Sequence, residues 1–366
     1  MSDATKKLML KKYLEEPDAT LGFTGMFRAR PENFHNSEEV EIDIVRSEED
    51  VSIVVTDLST GYRMNSEDLY TNKGFKPPIH REAIILSSDS LLKRKAGDSP
   101  FADSGFRFEI AERMLSGMRK VERKIKRAME LQASQIMQTG IITLTDETGA
   151  ALYTLNYAPK ATHFPTAGTS WASATLAQKI ADIQSLCNVV RADGLSTPDQ
   201  LYFGEKAWEN LIQTPGFLDL RFNAMRASLG TITPKKSIGE GMIYRGSIDV
   251  GNYSLDVFTY DGRYKNPQTG VSTEYMHTGK VGVRASSGRL DATFGMVPNI
   301  GVEIGASKPL IPEIHRRFSS PENRTDLFTN IWLTPDGEQL MGGVSARPLL
   351  IPTAIDTFGC LNTQLS

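Results

Sequence analysis

Two early stretches, Val40-Glu41-Ile42-Asp43-Ile44-Val45 and Val51-Ser52-Ile53-Val54-Val55, alternate apolar and polar side chains and are rich in β-branched residues. Period two with that composition predicts strands. From Phe106 the period changes. Ile110, Met114, Met118, Val121, Ile125, Met129 and Ile136 recur at intervals of three, four or seven, one apolar stripe of an amphipathic helix running to Thr139. Ser104 is placed to cap its start and Gly140 to end it. About 34 residues at 1.5 Å each give a rod of roughly 50 Å. So long a helix with so narrow a stripe is expected to lie along one sheet. A coiled coil is the competing reading, but the spacing does not hold a strict heptad seam.

Between these patterns the chain from Tyr62 to Asp98 has polar-rich arms and little apolar face. Its descending limb, Gly74-Phe75-Lys76-Pro77-Pro78-Ile79-His80-Arg81-Glu82-Ala83-Ile84-Ile85-Leu86, contains two prolines that forbid helix and confine any strand pairing to an edge. A loop of this length is uncommon inside a compact domain. The expectation is an arm laid across a neighbouring molecule. Residues 1–39, polar around a Thr20–Phe27 cluster, read as a second arm, ordered on contact with partners.

Beyond the helix, Ile141–Thr145 and Ala151–Tyr157 read as a hairpin around Asp146-Glu147-Thr148-Gly149. Leu176–Arg191 and Glu205–Gln213 read as helices, Gln200–Phe203 as a short buried strand. Met242–Tyr244 and Leu255–Tyr260 read as strands joined through Gly246, Gly251 and Asn252, with Val281–Val283 and Thr293–Val297 extending the same sheet. Leu327–Leu333 and Ala346–Pro352 are extended segments near the end. The sum is an α+β chain, and 366 residues suit about two domains or sub-domains.

Charge narrows the function classes. With 41 basic and 44 acidic residues the net charge is −3, which argues against a dedicated nucleic-acid binder but leaves room for one basic face. Two cysteines far apart, Cys187 and Cys360, read as buried reduced thiols. The apolar run Leu8-Met9-Leu10 is too short for a signal-peptide core, and no run approaches a membrane span, so a soluble protein made in a cytoplasm is expected, with no membrane partner.

The common catalytic constellations are missing. Gly168-Thr169-Ser170-Trp171-Ala172 and Gly343-Val344-Ser345-Ala346-Arg347 lack the second glycine of a nucleophile elbow. Thr278-Gly279-Lys280-Val281 lacks the first glycine and the final hydroxyl of a phosphate loop. His35, His80, His163, His277 and His315 show no zinc-ligand spacing, and His80-Arg81-Glu82 has no Pro-Cys-x-x-Cys to complete a deaminase signature. No catalytic, metal or cofactor site is therefore assigned. What remains is basic. Arg113, Arg119, Lys120, Arg123, Lys124 and Arg127 dominate the long helix, which serves nucleic acid or a neighbouring subunit, or is a solvated face with internal pairs such as Glu122–Lys126. Lys73, Lys76, Lys93, Arg94 and Lys95 on the excursion either suppress random edge pairing or dock on an acidic strip of another chain.

The order of these pieces resembles the major capsid proteins of tailed bacteriophages, the lambda E-type family with the Hong Kong phage-like capsid fold. Asn33-Phe34 followed by Val40–Val45 is similar to their amino-terminal arm, and Gly74-Phe75-Lys76-Pro77-Pro78-Ile79 to their extended loop. The helix exit Gln135–Ile141 is similar to their spine helix. Met242-Ile243-Tyr244-Arg245-Gly246, Asp249-Val250 and Asp261-Gly262-Arg263-Tyr264 resemble their axial hairpin, and Asp326–Thr329, Ser345–Leu349 and Ile351-Pro352 their closing strands.

The resemblance implies an arm with the first peripheral strands over 1–60, and an extended β-hairpin loop (E-loop) over 61–103. It implies a peripheral domain (P-domain) with spine helix and hairpin over 104–165, an axial A-domain over 166–322, and peripheral return strands over 323–366. It also implies a non-enzymatic subunit that assembles into hexamers and pentamers of an icosahedral shell around double-stranded DNA, within a bacterial host. Lys73, Gly74, Phe75, Lys76, Pro77 and Pro78 would make the inter-subunit loop contact. Portal and a separate scaffolding protein are implied partners, with a decoration protein allowed. Some relatives cross-link a loop lysine to an asparagine; Lys73 and Lys76 are near the expected tip, but no cross-link is expected here. A cellular nanocompartment shell of the encapsulin kind and an unrecognised α+β enzyme stand as alternatives.

Overall fold

The computed structural model of the chain describes residues 22–35, 40–45, 70–87, 106–145, 150–217, 236–239, 241–266, 268–295, 297, 300–301, 313–314, 327–334 and 339–365. One helix, α1 (Phe106–Thr139), spans 34 residues as its periodicity predicts. Ser104 and the lysine–arginine cluster at 93–95 lie outside the described residues.

The stretch of α1 from Met114 to Ile125 lies on a three-stranded antiparallel sheet of order β16-β17-β3, formed by Phe328–Leu333, Gln339–Ala346 and His80–Ser87. Met114, Leu115, Met118, Val121 and Ile125 meet Leu86, Ile331, Leu340 and Val344 there. The close approach requires Gly342, since a Cβ at that position would fall 2.5 Å from Met114 Sδ.

The last turns behave differently. Met129, Ala133, Ile136 and Met137 enter a second core with Phe23, Phe27, Ile142, Leu155 and Tyr260, so the rod ends enclosed rather than resting on one sheet. Gly140, at φ +67°, takes the left-handed turn out of the helix. The antiparallel hairpin β4 (Ile141–Thr145) and β5 (Ala151–Asn156) follows.

The larger body is a six-stranded sheet of order β19-β12-β6-β9-β8-β7. Its strands are Phe358–Asn362, Lys280–Arg284, Gln200–Phe203, Tyr253–Tyr260, Met242–Val250 and Lys236–Gly239. One face turns Leu201, Phe203, Val257, Val281 and Val283 toward α2 (Leu176–Gly194) and α3 (Glu205–Gln213). The other turns Tyr202, Phe258 and Phe358 toward the end of α1. A sheet covered on both faces needs continuous apolar runs, and Leu201-Tyr202-Phe203 is one. Thr175 and Gln178 form a reciprocal capping box that starts α2.

Two expectations are corrected. Gly246 is not in a connection: it sits inside β8 at a register shift, and the turn to β9 is Gly251-Asn252. Thr293 does not extend the large sheet, because β13 (Asp291–Phe294) pairs instead with β18 (Pro348–Ile351). Within 323–366, β16 and β17 lie in the helix-backed sheet, and β19 bonds to β12 in the six-stranded one.

Candidate subunit interface

The candidate contact element is a hairpin, over other residues than the sequence suggested. β1 (Val40–Val45) pairs antiparallel with β2 (Tyr70–Phe75), Val40 opposite Phe75 and Ile42 opposite Lys73. Among the described residues neither strand has a further partner. Val40 is buried in the core beside the arm and fixes the root. Of the limb expected to descend from a loop tip, 74–86, the part from His80 onward instead forms β3 and lies on the chain's own helix. Its Ile84 and Leu86 alternate as a buried sheet face, and among the described residues β3 is the edge strand of its sheet, in keeping with the prolines before it.

Lys73, Gly74, Phe75, Lys76, Pro77 and Pro78 consequently lie at the hairpin's root. Lys76 is exposed, Pro78 half-buried and Pro77 buried. A Cβ on Gly295 would come 3.3 Å from Pro77 Cγ and 3.4 Å from Arg347 Cδ, so the root is wedged between the ends of two strands.

The basic helix positions divide. Lys120, Arg123, Lys124 and Arg127 fall at helical spacing on one exposed face, while Arg113 and Arg119 are half-buried. Lys124 Nζ lies 2.7 Å from Glu82 Oε2 on β3, and Lys126 pairs with Glu122 at 2.8 Å one turn away. The internal pairing read from sequence is therefore realised for Lys126. Lys120, Arg123 and Arg127 make no ion pair among the described residues.

The amino-terminal segment 22–35 is docked on its own chain, contrary to an arm ordered only by partners. Glu130 of α1 is fully buried. Its Oε1 accepts from Phe23 N at 2.7 Å and from the Tyr260 hydroxyl at 2.6 Å. Its Oε2 accepts from Thr24 N at 2.8 Å and the Thr24 hydroxyl at 2.6 Å. Phe23 packs edge-on against Tyr260 and Tyr202, at 4.7 and 5.7 Å.

Farther along, Arg28 and Phe34 bridge to Asp291 and Phe294, adding a partial strand beside β13. Buried Asp291 accepts from Arg289 Nε at 2.5 Å, Thr353 at 2.7 Å and Asn33 at 3.3 Å, and Arg289 reaches Glu32 at 2.8 Å. Sequence pattern alone assigned Glu130 no role. The missed signal is that Glu130 is the last charged residue of α1, with nothing but uncharged side chains from Leu131 to Thr139.

Nothing in the described residues gathers catalytic groups. No cluster of three or more His, Cys, Asp or Glu side chains is placed to hold a metal among them, and no described helix is long and apolar enough to cross a membrane. Buried His163 stands between the Phe358 carbonyl, 2.8 Å from Nδ1, and Asp193, 3.1 Å from Nε2. A hydrogen bond from Lys160 at 2.7 Å, then one from His163, holds the Asp193 carboxyl below the ordinary range. This ties α2 to β19 and has no nucleophile among its contacts. Burial pushes both Cys187 and Cys360 up to about 12, which leaves them as thiols.

A clamped arm, a rooted hairpin and a long helix between two sheets form a scaffold for contacts, and the comparisons agree. The family model of phage major capsid protein E matches residues 12–358. The chain belongs to that family. It is a structural subunit of a phage capsid shell, part of the virion, and associates with copies of itself. A search of curated sequences finds no significant match. The solved capsid protein of a prophage of E. coli CFT073 is similar at 14% identity, with a TM-score of 0.63 over 96% of this chain and 97% of that one. Its likeness confirms the fold. A structure from Gordonia phage Cozz (9% identity, TM-score 0.46, 95% and 88% covered) and the SrpI encapsulin of Synechococcus elongatus PCC 7942 (10%, 0.43, 99% and 95%) are more distant.

Proposed function

We propose that the chain tiles an icosahedral tailed-phage head as hexamers and pentamers enclosing double-stranded DNA. The β1–β2 hairpin is the extended loop and crosses to the neighbouring copy. The supporting observation is the hairpin itself: two strands, paired only with each other among the described residues, rooted in the core at Val40. An isolated two-stranded hairpin is marginal in water and gains stability against another surface.

In this reading residues 166–322 together with β19 gather around the capsomer axis, and 104–165 with the β16–β17 strands form the periphery. Lys120, Arg123 and Arg127 face DNA or a neighbour, with Lys73 and Lys76 supporting the hairpin root. Portal, a separate scaffolding protein and, where the shell needs it, a decoration protein are the other partners, and assembly takes place in the host cytoplasm.

Electron microscopy of the expressed chain tests the reading, with shells, tubes or capsomers expected. Replacing 46–69 by a short turn between Val45 and Tyr70 should abolish shells while leaving circular dichroism and thermal melting near those of the parent. Shells formed normally without that segment would overturn the assignment. Enzyme cargo in place of nucleic acid inside purified shells would favour the encapsulin alternative.

A further inference from the structure

Among the described residues α1 covers one face of the sheet β16-β17-β3, and the other carries an exposed apolar row. Toward α1 stand Leu86, Leu340, Ile84 and Ile331. On the opposite face the register places Ile85, Met341 and Trp332 directly across the three strands, with Ala83, Gly343 and Asn330 as the next row. Ile85 is 56% exposed and Trp332 37%. Adjacent exposed apolar side chains on an ordered sheet mark an interaction surface rather than scattered surface residues.

Trp332 is also seated. A Cβ on Gly343 would fall 2.9 Å from its ring, so the indole lies over that glycine and is held before any partner arrives. A fixed aromatic loses little side-chain freedom on binding, the property expected of an interface anchor. The consecutive glycines therefore divide the work: Gly342 admits Met114 on one face, and Gly343 admits Trp332 on the other.

We propose that this outward face, centred on Trp332, Met341 and Ile85, is a docking surface for a second copy of the chain. The proposal rests on the shell reading above and names the surface it uses. Two observations select a copy as the occupant. The family builds shells by self-association. From β3 the chain also runs back past Arg81 to Ile79, 40% exposed, and on to the root of the β1–β2 hairpin, so a neighbour that meets the hairpin is carried onto the sheet. The Ile85–Met341–Trp332 row carries no cation, which disfavours nucleic acid as its occupant.

The three tryptophans give a direct readout. Trp171 and Trp208 are buried in the core beneath α2 and α3, so Trp332 is the exposed emitter of the folded subunit. In dissociated subunits acrylamide should quench one emitter of three. In shells that fraction should vanish and the emission shift to shorter wavelength, and Trp332→Phe should abolish the difference. Ile85→Asp should keep the parent's melting temperature and lose shell formation by sedimentation. Leu152→Asp, at a site 74% exposed elsewhere, should assemble like the parent.

Shells in which Trp332 stays quenchable, or normal assembly of Ile85→Asp, would overturn this surface and leave the shell reading intact. Protection gained only on adding another virion protein would assign the face to that protein and overturn the proposal. A parent chain that never assembles would remove the shell reading first, and this surface with it.

Discussion

Replacing Glu130 by alanine tests how the arm is held. The substitution removes the acceptor of four hydrogen bonds. Thr24 is only partly buried, so water can replace what its amide and hydroxyl lose. The Phe23 amide is buried and would lose its acceptor. A buried unpaired group costs about 1–3 kcal/mol, which puts Glu130→Ala at about that cost. Release of the arm lowers the cost by letting the amide reach water, but it then exposes the Phe23 ring.

Two measurements on unassembled subunits separate these outcomes. Denaturant titration reads the loss of stability, and limited trypsin digestion reads arm release through cleavage after Arg28 and Arg30. Glu130→Gln retains one acceptor oxygen and should fall between the parent and Glu130→Ala. A change under about 1 kcal/mol in Glu130→Ala, with no faster cleavage, would refute the reasoning, because it would mean the four contacts add nothing beyond what water supplies.

Three further outcomes follow from buried polar groups. Burial lowers His80 from its ordinary 6.5, partly countered by Glu82, and its Nε2 has no hydrogen-bond partner. A base with a depressed folded-state value contributes fully above 6.5, and its contribution falls as pH drops from 6.5 toward that lower value; His80→Leu should flatten this part of a stability-versus-pH curve measured by urea unfolding. Both thiols should resist a thiol reagent at about pH 8 in the folded chain and react once it is unfolded; fast reaction of either in native protein would contradict its burial. Gln132 of α1 is fully buried with neither amide atom bonded, so Gln132→Met should raise stability by about 1 kcal/mol; a clear loss in a melting experiment would show that the amide has a partner.

Elements with their own period were legible, and those defined by a partner were not. The bounds of α1 and α3 follow from residue spacing alone, because helix bonds are local. β17 was missed because Gly342-Gly343 resembles a loop, yet each glycine sits in the strand to admit a side chain from outside it. β19, Phe358–Asn362, is buried on both faces and so shows no alternation. The hairpin was assigned to the wrong limbs because Val40–Val45 pairs with Tyr70–Phe75, a contact across a long intervening segment that sequence pattern does not encode. Lys73 to Pro78 were expected to make the inter-subunit loop contact near a tip, but their place at a root is set by Gly295 and Arg347, remote in sequence.

Helix α1 seats one set of side chains on the three-stranded sheet and another in the arm-lined core, and the handover falls between Ile125 and Met129. Each residue of an α-helix advances it by about 100°. Removing a single residue at the handover would thus rotate one mating surface relative to the other by more than a quarter-turn, although either half could still form a regular helix. The rod acts as a keyed shaft: its angular phase, more than its composition, aligns the two ends of the tile, and length changes in this short stretch should be far less tolerated than substitutions.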